Sequence, residues 1–463
     1  MKRIYLALFI IYAGLNGVTA QQSDSIMIKK IFSTALSDST AYKNLKYLCT
    51  KIGGRLCGSP QAAKAVEWAK KVLQQMQLDS VYTQKVMVHH WDRGEKETAG
   101  IVSAKLGSKD VSICALGESV GTAINGITSQ VVEVKNFDEL KKLGKEKVSG
   151  KIVFFNRAMD PAEYNTFEAY GGAVDQRGHG AIEAAKYGAI GVIVRSMTLD
   201  DNNIPHTGIM RYDTTITKIP AAAISTKDAN LLSDWLKKDT DLQFHFKMNC
   251  KMLPEAESYN VIGEIRGSES PKEIIVVGGH LDSWDIAQGA HDDGTGVMHS
   301  IEMMRLIKVL KIVPKHTIRI VLFMDEECAQ HGGKKYAAVA KEKTNAGVEK
   351  HIAAIESDEG GFTPFGFSIE SSSDTLAMVN KWKNLFLPYG IYNFQKGYSG
   401  VDIYFLKGLG CPRIGLNVDS QQYFDYHHSA ADSFDKINNR QMQLGSAAVA
   451  SLVYLIDKYW TKF

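Results

Sequence analysis

Residues 273–277 read Glu-Ile-Ile-Val-Val, and GGHLDSWDIAQGAHDDGTG follows from Gly278 to Gly296. The first run is short and largely apolar, which suits a central parallel strand buried on both faces. The second sets His280, Asp282, Asp285, His291, Asp292 and Asp293 among glycines. Carboxylates held side by side repel one another. The pattern therefore asks for a positive charge between them.

Working outward, the same grammar recurs. Thr317–Phe323 is another apolar run, and Asp325-Glu326-Glu327 follows it. His351–Ile355 runs into Glu356-Ser-Asp358, Arg413–Leu416 is a further strand candidate, and Tyr426-His-His-Ser429 leads to Asp432. Helices are predicted at Gly294–Leu310, Ser372–Leu387 and Asn438–Tyr459. This alternation predicts an α/β fold with a mixed, mostly parallel central sheet flanked by helices. Open α/β sheets bind ligands outside the carboxyl ends of their strands, so the polar clusters should converge there. A single H-x-D or Glu-Glu pair is ordinary solvated loop; several clusters that each end a buried strand are not. Imidazole with carboxylate, and no thiolate, suits zinc or a similar divalent ion. One ion takes three or four protein ligands, and the inventory here is larger. It favours a two-metal site in which one carboxylate bridges.

The rest of the chain is less specific. At 463 residues it is too long for one small core, and two or three domains are expected. The net charge is only +3 and the charges are interleaved, so no nucleic-acid or polybasic membrane surface stands out. Met1-Lys-Arg3, the apolar stretch Ile4–Leu15 and Val18-Thr-Ala20 read as a secretory signal peptide cut after Ala20. A secreted or periplasmic protein is expected, and no other run is apolar enough to span a bilayer. Six cysteines are present, at 49, 57, 114, 250, 328 and 411. Export permits disulfides, and Cys49 and Cys57 are near enough in sequence to pair, but buried free thiols suit the scattered spacing as well. Residues 26–50 read as helical. Ser59-Pro60 starts a second helix as N-cap and first turn, and strands are predicted at Ser80–His89 and Gly100–Ala104. Residues 121–250 hold short β-branched runs (Gln130–Val134, Lys151–Phe155, Gly191–Val194, Ile219–Ile224) and an Ala-rich helix near 180–188, with no constellation of metal ligands. They read as a β-rich module inserted into a domain made of residues 21–120 and 251–463.

These motifs resemble the co-catalytic di-zinc exopeptidases of aminopeptidase fold. The likeness rests on Gly53-Gly-Arg-Leu-Cys-Gly-Ser-Pro60, Gly279-His-Leu-Asp-Ser-Trp-Asp285, Gly289–Gly294 and Tyr426–Asp432. Around Gly150-Lys-Ile-Val153 and Ala185–Val192 the insert resembles a protease-associated domain. The resemblance implies that His280, Asp292 and Asp358 hold one zinc and that Asp292, Glu327 and His428 hold the other. His428 is preferred to His427 because the family's ligand stands four residues before an Asp, here Asp432. It further implies that Asp282 orients His280, that Glu326 is the general base, and that Tyr398 stabilises an oxyanion; Asp325 receives no role. The substrate implied is a dipeptide or short peptide. Dimers occur in the family, and no residue here decides the point.

Two other readings share the fold. A glutaminyl cyclase-like enzyme would use a single zinc and lack the inserted module. A non-catalytic binding protein would have lost ligands, whereas His280, Asp292, Glu326, Glu327, Asp358 and His428 are all in place.

Overall fold

The computed structural model describes residues 22–460; the predicted signal peptide and its cut site lie outside that span. Helices at 22–36 and Thr40–Tyr47 open the chain, as the apolar spacing predicts. The helix Pro60–Gln75 begins where the sequence places it: Ser59 Oγ accepts the Ala62 N–H at 3.1 Å, and Pro60 occupies the first turn.

Among the described residues, sixteen strands form two sheets of eight. The chain enters the first with β1 (Ser80–Asp92). It then builds the second from β2 (Thr98–Ser103), β3 (Gly107–Val111), β4 (Ile113–Ala115), β5 (Ile127–Val134), β6 (Ile152–Phe155), β7 (Gly191–Arg195), β8 (Ala221–Ile224) and β9 (Gln243–Lys247). It returns to the first with β10 (Lys251–Ile265), β11 (Ser270–His280), β12 (His316–Phe323), β13 (Lys350–Glu356), β14 (Pro364–Glu370), β15 (Asn393–Lys396) and β16 (Arg413–Val418). The first sheet has the order β1-β10-β12-β11-β13-β16-β14-β15 and the second β3-β2-β9-β5-β6-β7-β8-β4. The fold is mixed α/β. β12, β11, β13 and β16 run parallel at the centre of the first sheet, with antiparallel neighbours outside them. Every residue of β12 is buried, as a continuous apolar run requires. The helices Thr295–Val309 and Asn439–Tyr459 pack against each other beside this sheet.

Three findings differ from the sequence reading. Residues 121–250 hold more helix than strand, in Phe137–Val148, Thr166–Gly171, Asp175–Lys186 and Thr226–Lys238. The reason is topological: β5, β6, β7 and β8 lie parallel, and parallel neighbours need crossover connections. The second sheet also draws in β2, β3 and β4, from before residue 121. In addition, the sequence reading assigns no strand to β10. Its first half pairs only with β1, as a two-stranded arm with both faces largely wet, so it shows no apolar alternation.

Candidate metal centre

The predicted clusters meet at the carboxyl ends of the parallel strands. His280 is the last residue of β11, Glu326 and Glu327 follow β12, and Asp358 follows β13. Asp292 sits at the start of the helix after β11, and His428 comes from the loop after β16. The glycines around them are there for close approach. A Cβ on Gly296 would stand 1.9 Å from Ser357 O, and one on Gly279 would stand 2.4 Å from Asp293 Oδ2. Arg55 holds the loop in shape, donating to the carbonyls of Leu281, Gln288 and Gly289.

The acids and histidines of 278–296 separate into distinct duties. Asp285 takes two bonds of 2.7 Å from the Arg93 guanidinium, away from the cluster. His291 stacks with Phe362 and with Tyr426 and accepts the Gly361 N–H. Asp293 accepts the N–H groups of His280 and Gly296. With the Asp282 carboxylate turned to the backbone of 325–327, that leaves His280 and Asp292 facing the shared space.

Asp292 presents one oxygen to each of two histidines. Its Oδ1 lies 3.1 Å from His280 Nε2, and its Oδ2 lies 3.4 Å from His428 Nε2. Each histidine has a second carboxylate: Asp358 Oδ1 lies 3.4 Å from His280 Nε2, and Glu327 Oε2 lies 3.1 Å from His428 Nε2. His427 reaches Asp292 Oδ2 at 3.8 Å and stacks on His428. Glu326 Oε2 stands 4.0 Å from His280 Nε2.

The positions are braced from behind. Asp432 accepts the N–H groups of His291 and Asp292. The Asp282 carboxylate accepts those of Asp325, Glu326 and Glu327, at 2.9, 3.3 and 3.4 Å. His280 Nδ1 is nearer the Asp282 carbonyl, at 3.1 Å, than its carboxylate, at 3.8 Å. Asp282 therefore positions the Glu326–Glu327 turn as well as His280. Tyr398 is 61% exposed, with its phenol pushed up by burial and by Glu356, Asp358 and Glu326.

The charges do not balance. Burial, joined by neighbouring carboxylates, pushes Glu326, Glu327 and Asp293 well above the usual carboxylate range. Burial also raises Asp358, against the pull of His280. His280 is itself raised by Asp358, Asp282 and Asp292 although burial opposes it, while burial and its neighbours His427 and Arg177 hold His428 well below its ordinary value, in the neutral form that coordinates metals. Glu327 Oε1 and Asp358 Oδ1 are buried and make no hydrogen bond with the described residues. Such orphans call for a cation. The donor set, imidazole and carboxylate without thiolate, fits zinc.

A cavity of about 560 Å³ opens onto this centre. Its wall includes residues that the sequence did not mark: Tyr170, Arg177 and Arg211 from the middle segment, and Lys334. Arg177 is 6% exposed, with Nη1 3.5 Å from His428 Nδ1 and its guanidinium over the Tyr170 ring. His206 Nδ1 bonds the His427 carbonyl, and the Thr207 N–H bonds that of His428. An arginine on an Ala- and Gly-rich helix carries no ligand motif, so nothing local in the sequence points to it.

Imidazoles and acids gathered at the carboxyl ends of a mixed α/β sheet, open to a cavity, make the layout of a metallohydrolase. The profile of Peptidase family M28 matches residues 260–453. Carboxypeptidase Q of Mus musculus is 35% identical over 416 residues, covering 90% of this chain and 85% of its own. A crystal structure of a peptidase M28 precursor from Shewanella amazonensis superposes with a TM-score of 0.89 at 34% identity, over 94% of this chain and 97% of that one. A zinc aminopeptidase of Bacillus subtilis shares the fold, with a TM-score of 0.64 at 19% identity over 91% and 96% of the two chains. The chain belongs to peptidase family M28 and is a metallo-exopeptidase.

Proposed function

We propose that this protein is an exported di-zinc exopeptidase that hydrolyses dipeptides or short peptides. One observation carries the reading: Asp292 offers an oxygen to each of two histidines, and each histidine has its own second carboxylate. His280, Asp292 and Asp358 would hold one zinc, and Asp292, Glu327 and His428 the other. Two such cations, when bound, lower the pKa of a water and polarise a peptide carbonyl. Glu326, beside the ligands but not needed among them, takes the proton from the attacking water and returns it to the leaving amine. Asp282 fixes the turn that separates Glu326 from Glu327. Tyr398 would meet the carbonyl oxygen as a substrate closes over it. Arg177, Arg211 and Lys334 give the wall the positive charge that a substrate's free carboxylate requires.

Residues 121–250 would be an inserted protease-associated module whose sheet is closed by β2, β3 and β4. It contributes Arg177 to the wall and no metal ligand. Export rests on the sequence of residues 1–20. Among the described residues, no helix is long and apolar enough to cross a membrane.

The test combines metal analysis with a dipeptide panel in which each terminus is blocked in turn. Two zinc ions bound by the imidazole–carboxylate residues are expected. Amidating the C-terminus should raise KM more than acetylating the N-terminus. One ion per chain at this centre would favour the single-zinc cyclase-type reading. Indifference to the carboxyl block would remove the role given to the basic wall.

A further inference from the structure

The four residues Asp325-Glu326-Glu327-Cys328 divide between two places. Glu326 and Glu327 face the centre described above. Asp325 and Cys328 turn the other way, toward Cys57, and ligand atoms of these three residues lie within 4.8 Å of one another. Cys57 comes from the far side of the chain, just past the Gly53–Leu56 turn, and is 1% exposed. Asp325 is fully buried and sits in left-handed backbone at φ 74°. Its Oδ1 accepts no hydrogen bond from the described residues. Its Oδ2 is braced by His331, whose Nδ1 lies 2.8 Å away and whose N–H lies 3.4 Å away. Cys328 and His331 both line the cavity, so an ion in solution can reach the group.

We propose that Cys57, Cys328 and Asp325 form a separate binding site for a borderline-soft divalent cation of the zinc class, with His331 as the group that orients Asp325. Two sulfurs on a tetrahedral zinc stand about 3.8 Å apart, inside the 4.8 Å that bounds the ligand atoms here. A buried carboxylate oxygen without a donor is a further reason: a cation satisfies it, whereas a disulfide between the two cysteines would leave it facing sulfur. The Cys57 thiol now donates to the His89 carbonyl at 3.2 Å. Binding a divalent ion forms two metal–sulfur bonds and one metal–oxygen bond and releases two thiol protons to solvent, with no change of oxidation state. The site would tie the Gly53–Gly58 turn to the segment that carries Glu326 and Glu327, and so fix the base and a ligand of the neighbouring centre from behind.

Cobalt separates this site from the imidazole–carboxylate one, because only thiolate ligands give a near-ultraviolet sulfur-to-cobalt charge-transfer band. The full-length enzyme would be stripped with a chelator and reloaded with Co²⁺, and in parallel with Zn²⁺. The band is expected in the wild type and absent from Cys57→Ala and from Cys57→Ala/Cys328→Ala, with bound metal lower by one ion per chain. In the wild type, both thiols should resist alkylation until chelator is added, a reading that needs no variant to fold. Absence of the band, unprotected thiols, or a Cys57–Cys328 disulfide in non-reduced peptides would each overturn the proposal. A chain that binds less metal at His280 and His428 than expected would still show the band, so failure of the di-zinc reading is seen separately.

Discussion

β12 carries one buried charge cluster along its length and another just past its end, and the protein treats them in opposite ways. At Arg319, the guanidinium donates to Glu264 at 2.7 Å, to Glu349 at 2.9 and 3.0 Å, and to the Tyr336 hydroxyl at 3.1 Å; Lys343 adds a second cation on Glu349. Burial opposes ionisation of Glu349, yet the bonds from Arg319 and Lys343 hold its carboxyl down at about 2. Seven and eight residues on from Arg319, Glu326 and Glu327 are buried beside Asp282, Asp292 and Asp358 and are pushed well up instead. Acids of the same sheet thus move in opposite directions. The first cluster brings its own counter-charge, so its energetics are complete in the protein. The second lacks one, and the deficit is the physical signature of a site built for something from solution.

The largest effect that would sharpen this contrast is metal removal. Chelation should reduce peptidase activity to background and lower the unfolding temperature, and zinc should restore both. Saturation at about 100 times Kd is worth about 2.7 kcal/mol per ion. Calorimetry with and without chelator measures it, and an unchanged melting curve would break the comparison.

Next come the adjacent acids. Glu326→Gln should keep its metal and lose about 100- to 10,000-fold in kcat. Glu327→Gln should lose metal, because a neutral amide is the poorer ligand. Turnover and metal content, measured on both proteins together, decide whether the roles are divided. A Glu326→Gln protein that is folded but metal-free would refute the division.

At the self-compensated end, Arg319→Met removes the one group that faces both Glu264 and Glu349. Breaking a buried ion pair from one side costs about 3–5 kcal/mol. Denaturant unfolding should show that loss, while kcat per folded molecule stays the same. Loss of metal in this variant would mean that the two clusters are not independent.

The smallest expected effect is in acid. A carboxyl depressed in the folded state stabilises the fold above its unfolded pKa and ceases to do so as the pH falls through its folded value. The contribution of Glu349 is therefore whole above about 4.5, the ordinary glutamate range, and fades toward about 2. Glu349→Gln should flatten the stability profile in that window and leave it unchanged in slope near neutrality.

Much of the centre could be read from the chain because strand ends are local. An apolar run fixes a buried strand, and the next few residues must then emerge at its carboxyl end; the clusters His280–Asp282, Asp325–Glu327 and Glu356–Asp358 follow from that, and the resemblance picked His280, Glu326, Glu327 and Asp358 out of them. Asp292 and His428 needed the resemblance as well, since they stand on a helix start and a loop. The choice of His428 over His427 came from the resemblance; in the fold His428 Nε2 lies 3.1 Å from Glu327 Oε2. The early strands and the Ser59 cap were legible for the same local reason. β10 was not, because an arm wet on both faces has no alternation to detect. Nor were the helices between β5 and β8, whose necessity comes from parallel pairing and not from their own composition.

What the sequence determined by itself is therefore short-range: which runs are buried, what ends them, and that their acids lack cations nearby in the chain. Tertiary structure decided every partnership between distant segments. It brought Arg177 of the second sheet's helix against His428, and Cys57 against Asp325 and Cys328. It also gave Glu264 and Glu349 to Arg319, so that one group of acids is neutralised from within and the other is not. The physical reason is that hydrophobic patterning specifies a face and a period, whereas a charge is satisfied by whatever the packed fold places within about 4 Å of it.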